Sequence, residues 1–118
     1  MKQKNPNPLA VLEGSQLSAV TFVQDYVQLH FDEPGLTAIN PPIVHCLNGS
    51  FEWGMPEYRN SLCERIGKLV RRAFTTEGQE IRIEFTDDSS ISISLKPEDY
   101  TAAEAAIFDN PPNPTCVW

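Results

Sequence analysis

The sequence has few basic residues, few cysteines and no long apolar stretch. It carries 9 Lys and Arg against 16 Asp and Glu, which gives a formal net charge of −7. This balance argues against bulk electrostatic binding of nucleic acids or anionic membranes, because both need a basic surface. No run approaches the ~18 apolar residues of a membrane-spanning helix, and the apolar run at residues 9–12 is too short for a signal peptide. We therefore expect a cytoplasmic protein.

Cysteine and glycine patterns do not indicate a disulfide framework, a metal centre or a nucleotide cofactor. The three cysteines, Cys46, Cys63 and Cys116, are odd in number and irregularly spaced, which is typical of free thiols in a reducing compartment. His45 and Cys46 form the one close ligand pair, whereas zinc needs four N or S ligands. No Walker or GxGxxG loop occurs. We predict neither a metal nor a cofactor.

The length of 118 residues fits one domain. Residues 1–8 and 109–118 are polar and proline-rich, so they cannot bury enough apolar area to offset the entropy of ordering. The sequence therefore predicts a disordered N-terminal tail over 1–8, a single domain over 9–108 and a proline-rich C-terminal tail over 109–118.

Between these ends, apolar and polar residues mostly alternate, as in half-buried antiparallel strands. The clearest segments are 26–32 (YVQLHFD), 80–86 (EIRIEFT) and 90–95 (SISISL), and weaker ones are 17–22 and 36–40. Segment 90–95 carries little charge. An unpaired edge there favours strand addition, and hence a homodimer.

Part of this pattern occurs twice. Residues 27–31 align with 81–85 at an offset of 54, and residues 36–38 align with 91–93 at an offset of 55. By analogy, residues 69–75 are predicted as the opening strand of the second unit. The result is an internal repeat of two three-stranded meanders.

The segment between the meanders allows two interpretations. Apolar residues at helical spacing are consistent with one helix over 57–73, but Gly67 is suited to close a shorter helix over 57–66, which leaves 69–75 as a strand. We favour the shorter helix. A capping-box pattern at Thr101 predicts a second short helix over 101–108. The expected fold class is α+β, with one antiparallel sheet of about six strands.

Three stretches resemble a group of short uncharacterised bacterial proteins. They read YVQLHFD, EYRNSLCERIG and SLKPEDY followed by AEAA, and the group's recurring pieces are "YR..LC..IG" and "F.D…SL.PEDY…EA". The resemblance covers about residues 12–108 and implies an α+β fold without implying an activity. This chain departs from the pattern at Asp88, where a hairpin glycine is expected.

The connection over residues 45–56 is the best candidate for a binding site, because it is long and carries Phe51, Trp53 and Met55. Exposed Trp and Met residues are typical interface anchors. The alternative is that Trp53 folds back over a sheet edge.

A basic cluster follows this connection, and it holds five of the nine positive charges: Arg59, Arg65, Lys68, Arg71 and Arg72. Such a cluster suits an acidic partner or a second copy of the chain. A solvated helix face paired with Glu57 and Glu64 explains it equally well.

The residues with catalytic chemistry are isolated from one another. His30 lies on the polar face of its strand, and Cys63 falls inside the predicted helix. Paired acids at residues 32–33 and 87–88 could serve as acid and base, but turn carboxylates that bond their own backbone explain them without a function.

We therefore expect a small non-enzymatic protein-interaction or regulatory module, with another protein or a second copy of the chain as partner. The candidate contact residues are Phe51, Trp53, Met55, Arg59 and Arg65. The alternative is a small-molecule-binding or hydrolytic domain that uses His30, His45 or Cys46 at a sheet-edge cleft.

Overall fold

The computed structural model describes residues 7–118, which form two antiparallel sheets of five strands each and little helix. The strands are β1 (Ala19–Val23), β2 (Tyr26–His30), β3 (Gly35–Ala38), β4 (Ile43–Cys46), β5 (Gly49–Phe51), β6 (Val70–Thr76), β7 (Glu80–Phe85), β8 (Ser90–Ser94), β9 (Ala106–Asp109) and β10 (Cys116–Val117). One α-helix, α1 (Tyr58–Cys63), and two 3-10 helices, Pro8–Leu12 and Pro97–Asp99, complete the fold. The α+β class is confirmed at this level.

The two sheets interlock through exchanged hairpins. The first sheet has the order β1-β2-β3-β9-β10, and the second has the order β5-β4-β8-β7-β6. The hairpin β4–β5 follows β3 in sequence but joins the second sheet beside β8, while the hairpin β9–β10 follows β8 but joins the first sheet beside β3. Each half of the described chain (7–57 and 58–118) thus completes the sheet of the other half.

The two halves share the same strand register. The matched cross-strand pairs are Val27–Ala38 with Ile81–Ile93, and Val20–Leu29 with Ala73–Ile83. Counterparts are therefore 53 to 55 residues apart (20 to 73, 27 to 81, 38 to 93). Because a slip of one residue would turn every inward side chain outward, equal register places the same kinds of residue inside both halves.

Reciprocal hydrogen bonds join the halves where their first strands begin. The backbone N–H of Gly14 donates to the carbonyl of Val70 (2.9 Å), and that of Gly67 donates to the carbonyl of Leu17 (2.8 Å). Gly14 has φ +88° and Gly67 has φ +91°, a left-handed conformation that glycine adopts without strain. Both glycine and acceptor lie 53 residues from their counterparts (14 to 67, 17 to 70).

Inward side chains of both sheets form one buried apolar cluster, and each sheet contributes by strict alternation. The N-terminal 3-10 helix adds Leu9 and Leu12 to the same cluster. The fully buried strand residues include Leu29, Phe31, Leu36, Ala38, Ala73, Ile81, Ile83, Phe85, Ile91 and Ile93. Burial of this cluster supplies the main favourable term in folding.

The expectation of one six-stranded sheet is wrong, because the 45–56 connection contains strands. Residues 43–51 form the β4–β5 hairpin, in which Cys46 pairs with Gly49 around the two-residue turn Leu47-Asn48. Strands of three or four residues are too short to show a period of two. The sequence Asn48-Gly49 was the available hairpin signal.

The predicted helix over 101–108 is also wrong. Ala106 pairs with Ala38 in β9, and the backbone N–H groups of Ile39 and Asn40 both donate to the carbonyl of Ala105 (2.8 and 3.0 Å). A helix this short is marginal without tertiary support. Pairing with β3 therefore overrides the local capping signal.

The remaining elements refine the expectations. The predicted helix over 57–66 is shorter, at Tyr58–Cys63, and residues 70–76 form β6 as a strand. Segment 90–95 is not an edge, because β8 lies between β4 and β7; the argument for a homodimer at that strand therefore falls. The C-terminal segment contributes β10, and Pro8 begins a 3-10 helix. Residues 1–6 of the predicted N-terminal tail lie outside the described residues.

Candidate functional site

The most exposed large aromatic side chain of the described residues lies between β5 and α1. Trp53 is 55% exposed and Met55 is 43% exposed. Arg59, one turn later on α1, is also exposed. These three residues, which we call the Trp53 surface, border a shallow cavity of about 290 Å³ with Pro56 and Tyr58.

Buried Tyr58 anchors the backbone beneath this surface. The ring of Trp53 meets that of Tyr58 edge-on, with centroids 6.0 Å apart and planes at 78°. The Tyr58 hydroxyl donates to the carbonyl of Pro42 (2.5 Å), and burial raises the pKa of the Tyr58 hydroxyl. Tyr58 therefore stays neutral and ties the surface to the β3–β4 connection.

Local hydrogen bonds give the loop before α1 a defined shape. The backbone N–H of Met55 donates to the carbonyl of Glu52 (3.0 Å), and that of Tyr58 donates to the carbonyl of Met55 (3.1 Å). Arg59 lies over the ring of Phe22 in β1, with its guanidinium carbon 6.0 Å from the ring centroid. This cation–π contact links the helix to the first sheet. The surface is therefore preformed.

Two of the five candidate contact residues lie elsewhere. Phe51 is half-buried and packs against the core. Arg65 has a side chain only 7% exposed, and its Nε donates to the carbonyl of Ser61 (3.2 Å). Because α1 ends at Cys63, Arg65 lies in the following turn and does not continue the outer helix face. Only Trp53, Met55 and Arg59 are available together.

The basic cluster is largely paired within the chain. Its partners are the acids of β7 and the β7–β8 turn, not Glu57 as expected from the sequence. The ion pairs are Arg65–Asp87 (3.8 Å), Lys68–Asp87 (3.5 Å), Arg71–Asp88 (2.9 Å), Arg71–Glu84 (3.8 Å), Arg72–Glu84 (4.0 Å) and Arg65–Glu64 (3.5 Å). Arg59 is the cluster member without an ion pair within residues 7–118.

Asp87 shows that this turn carries out a structural task. Burial acts to raise its pKa, but the hydrogen bonds from the Ser89 hydroxyl and backbone N–H, together with the cations of Arg65 and Lys68, lower it overall. The carboxylate accepts from Ser89 at both donors. The turn acids thus bond their own backbone and neighbouring cations.

The two histidines lie in different sheets and do not share a cleft. His30, in β2, contacts the hydroxyl of Thr21 (3.1 Å). His45, in β4, lies between two hydroxyls, with Nδ1 at 3.0 Å from Ser50 and Nε2 at 2.8 Å from Ser92. Burial and the nearby Arg82 cation lower the pKa of His45, which favours the neutral imidazole.

This arrangement does not favour hydrolysis. A nucleophilic serine needs access to substrate and a base oriented by a third group, commonly a carboxylate. Ser92 is only 3% exposed, and hydroxyls occupy both nitrogens of His45. The Cys46 thiol donates to the carbonyl of Gly49 (3.6 Å). Within residues 7–118, no group of three or more His, Cys, Asp and Glu is placed to hold a metal ion.

Sequence reasoning missed Trp118, which is half-buried against the core. Its backbone N–H donates to the carbonyl of Ala106 (2.9 Å), and its carbonyl accepts from Ala105 (2.6 Å). The available signal was a spacing: Trp53 follows Phe51 by two residues, and Trp118 follows Cys116 by two. Phe51 and Cys116 hold matching places in the exchanged hairpins.

In the described part of the chain, no helix has the length and apolar character needed to cross a bilayer. Comparison with protein-family models, with curated proteins and with solved structures found no match.

Proposed function

We propose that this protein is a non-enzymatic interaction module that binds a protein partner through the Trp53 surface. The observation that carries the proposal is the large exposed fraction of Trp53 on a loop fixed by Tyr58. Trp and Arg dominate binding energy at interfaces, and Met is enriched there. A preformed surface also loses less conformational entropy on binding.

Charge around the Trp53 surface favours a partner with a basic rim. Glu52 and Glu57 flank the surface and are exposed. Asp25 lines a second cavity that also includes Trp53. Against these three acids stands Arg59, and the whole chain carries a net charge of −7. Complementary charge would accelerate encounter and exclude acidic partners.

Affinity capture with matched variants tests this proposal. Trp53→Ala removes the anchor, while Leu47→Ala removes an even more exposed side chain, 98% exposed, at the β4–β5 turn. A genuine partner is retained by the wild-type chain and by Leu47→Ala, and Trp53→Ala binds it at least ~30-fold more weakly in a titration of the purified pair. Equal affinity of both variants for every captured protein would contradict the proposal.

Light scattering separates a heterologous partner from self-association. Because the proposal commits to another protein, the purified chain is expected to be a monomer at micromolar concentration. A dimer that Trp53→Ala dissociates and Leu47→Ala leaves intact would assign the same surface to a second copy and overturn the heterologous proposal.

A further inference from the structure

Trp53 and Trp118, the only two tryptophans of the chain, hold equivalent places in the two halves. Val44 pairs with Phe51 in the β4–β5 hairpin, and Phe108 pairs with Cys116 in the β9–β10 hairpin. Counterparts in these hairpins are 64 or 65 residues apart (44 to 108, 51 to 116). The two tryptophans continue the same offset of 65 (53 to 118).

Each tryptophan lines a cavity at the same place in its half. The Trp53 pocket, about 210 Å³, also includes Asp25 of the β1–β2 turn and Ile39 after β3. The Trp118 pocket, about 690 Å³, includes Gly78 of the β6–β7 turn and Leu95 after β8. Asp25 and Gly78 are counterparts at an offset of 53 (25 to 78). A tryptophan after an exchanged hairpin thus faces the first turn of a meander in both halves.

The two pockets share a chemical composition. The Trp53 pocket adds the aromatic ring of Tyr26 and the carboxylate of Asp25. The Trp118 pocket adds the rings of Phe74 and Tyr100 and the carboxylate of Glu77. Among the described residues that line them, neither pocket contains a Lys or Arg.

Aromatic faces beside a carboxylate attract cations, and quaternary ammonium groups are commonly held by such aromatic cages. Phe74 already accepts a cation inside the chain, because the guanidinium carbon of Arg72 lies 4.5 Å from its ring centroid. We propose that the Trp53 and Trp118 pockets both bind small organic cations of the quaternary ammonium class. This inference rests on the two cavities and does not require the proposed protein partner.

The indole N–H signals of the two tryptophans provide a separate NMR readout for each pocket, assigned with Trp53→Phe and Trp118→Phe. Choline is the probe, and its neutral isostere 3,3-dimethyl-1-butanol is the matched control. We expect choline to shift both indole signals saturably and the neutral alcohol to shift neither. Equal shifts with the alcohol would reduce the pockets to apolar sites, and no shift with choline would overturn the proposal.

Single carboxylate variants assign the charge to each pocket. Asp25→Asn is expected to weaken choline binding at Trp53 roughly fivefold and to leave the Trp118 response unchanged, and Glu77→Gln is expected to do the reverse. If neither substitution changes its own pocket, the carboxylates do not select the cation and the proposal fails. Loss of partner capture in Trp53→Ala with intact choline binding at Trp118 would keep the two proposals distinct.

Discussion

The two halves of the molecule agree in their interiors and differ on their surfaces. Phe31 and its counterpart Phe85 are both fully buried. On the outer faces, however, Gln28 of the first sheet corresponds to Arg82 of the second, which forms ion pairs with its strand neighbours Glu80 and Glu84 (3.5 Å each). The inward residues and the turn glycines therefore suffice for the architecture. The surface is free to diverge, and it is where a function specific to one half belongs.

The largest expected effect comes from breaking the matched cores. Phe31→Ala and Phe85→Ala should each lower the free energy of unfolding by about 3–5 kcal/mol, because each removes a fully buried aromatic ring. Urea denaturation at 25 °C measures both. If either variant lost less than about 1 kcal/mol, the two halves would not be energetically equivalent.

A second comparison concerns the glycines at the junction of the halves. Gly14→Ala and Gly67→Ala should each cost about 1–2 kcal/mol, since both have positive φ while an added Cβ would meet nothing within 4 Å. Gly35→Ala is the control, because its φ is not in the left-handed region and its Cβ would make only ordinary contact with Leu29. A Gly35→Ala cost as large as the other two would show that the strain argument is wrong.

The tryptophans sharpen the comparison, because their burial differs. Trp118→Ala should lower the free energy of unfolding by about 2 kcal/mol, since its ring packs against the core. Trp53→Ala should cost at most about 1 kcal/mol, chiefly the edge contact with Tyr58. Thermal unfolding of the two variants compares them directly. The reverse order would place Trp53 in the core and remove it from the binding surface.

The smallest expected effect is a pH dependence confined to the second sheet. The pKa of His45 is lowered below its ordinary value of 6.5, so the unfolded chain binds the proton more readily. This stabilising contribution is present above pH 6.5 and is lost as the pH falls through the folded-state pKa. Between pH 7 and pH 5, the wild-type chain should lose more stability than His45→Gln.

An NMR titration of the His45 ring provides the direct check on this sign. The midpoint should lie below 6.5. A midpoint above that value would mean that the imidazolium is stabilised, and the hydroxyls of Ser50 and Ser92 would then need another explanation.

The sequence was informative where elements are long and strictly alternating. Strands β2, β7 and β8, the strand β6 and the ending of α1 near Gly67 all follow from local patterns. The exchanged hairpins did not, because β4, β5, β9 and β10 have only two to four residues and their partners are chosen by distant strands. The equal registers support descent of the two halves from a duplicated unit, which stays a prediction.

The candidate site was predictable in part for a similar reason. Trp53 and Met55 lie on the surface because their loop follows a short edge strand. Arg65 lies inward because α1 ends earlier than the helical spacing predicted. The relation between Trp53 and Trp118 was missed because the repeat was traced only as far as Pro42 and Pro97, before either exchanged hairpin begins.

Native-state hydrogen exchange of the amides in β4 and β9 tests most directly whether the halves are interlocked. Each strand lies inside the sheet of the opposite half, so neither sheet can open alone without disrupting both. We expect protected amides of both strands to exchange with one common free energy, equal to that of global unfolding. If one strand exchanged at a clearly lower free energy than the other, the halves would open independently, and the equivalence of the two tryptophan pockets would lose its structural basis.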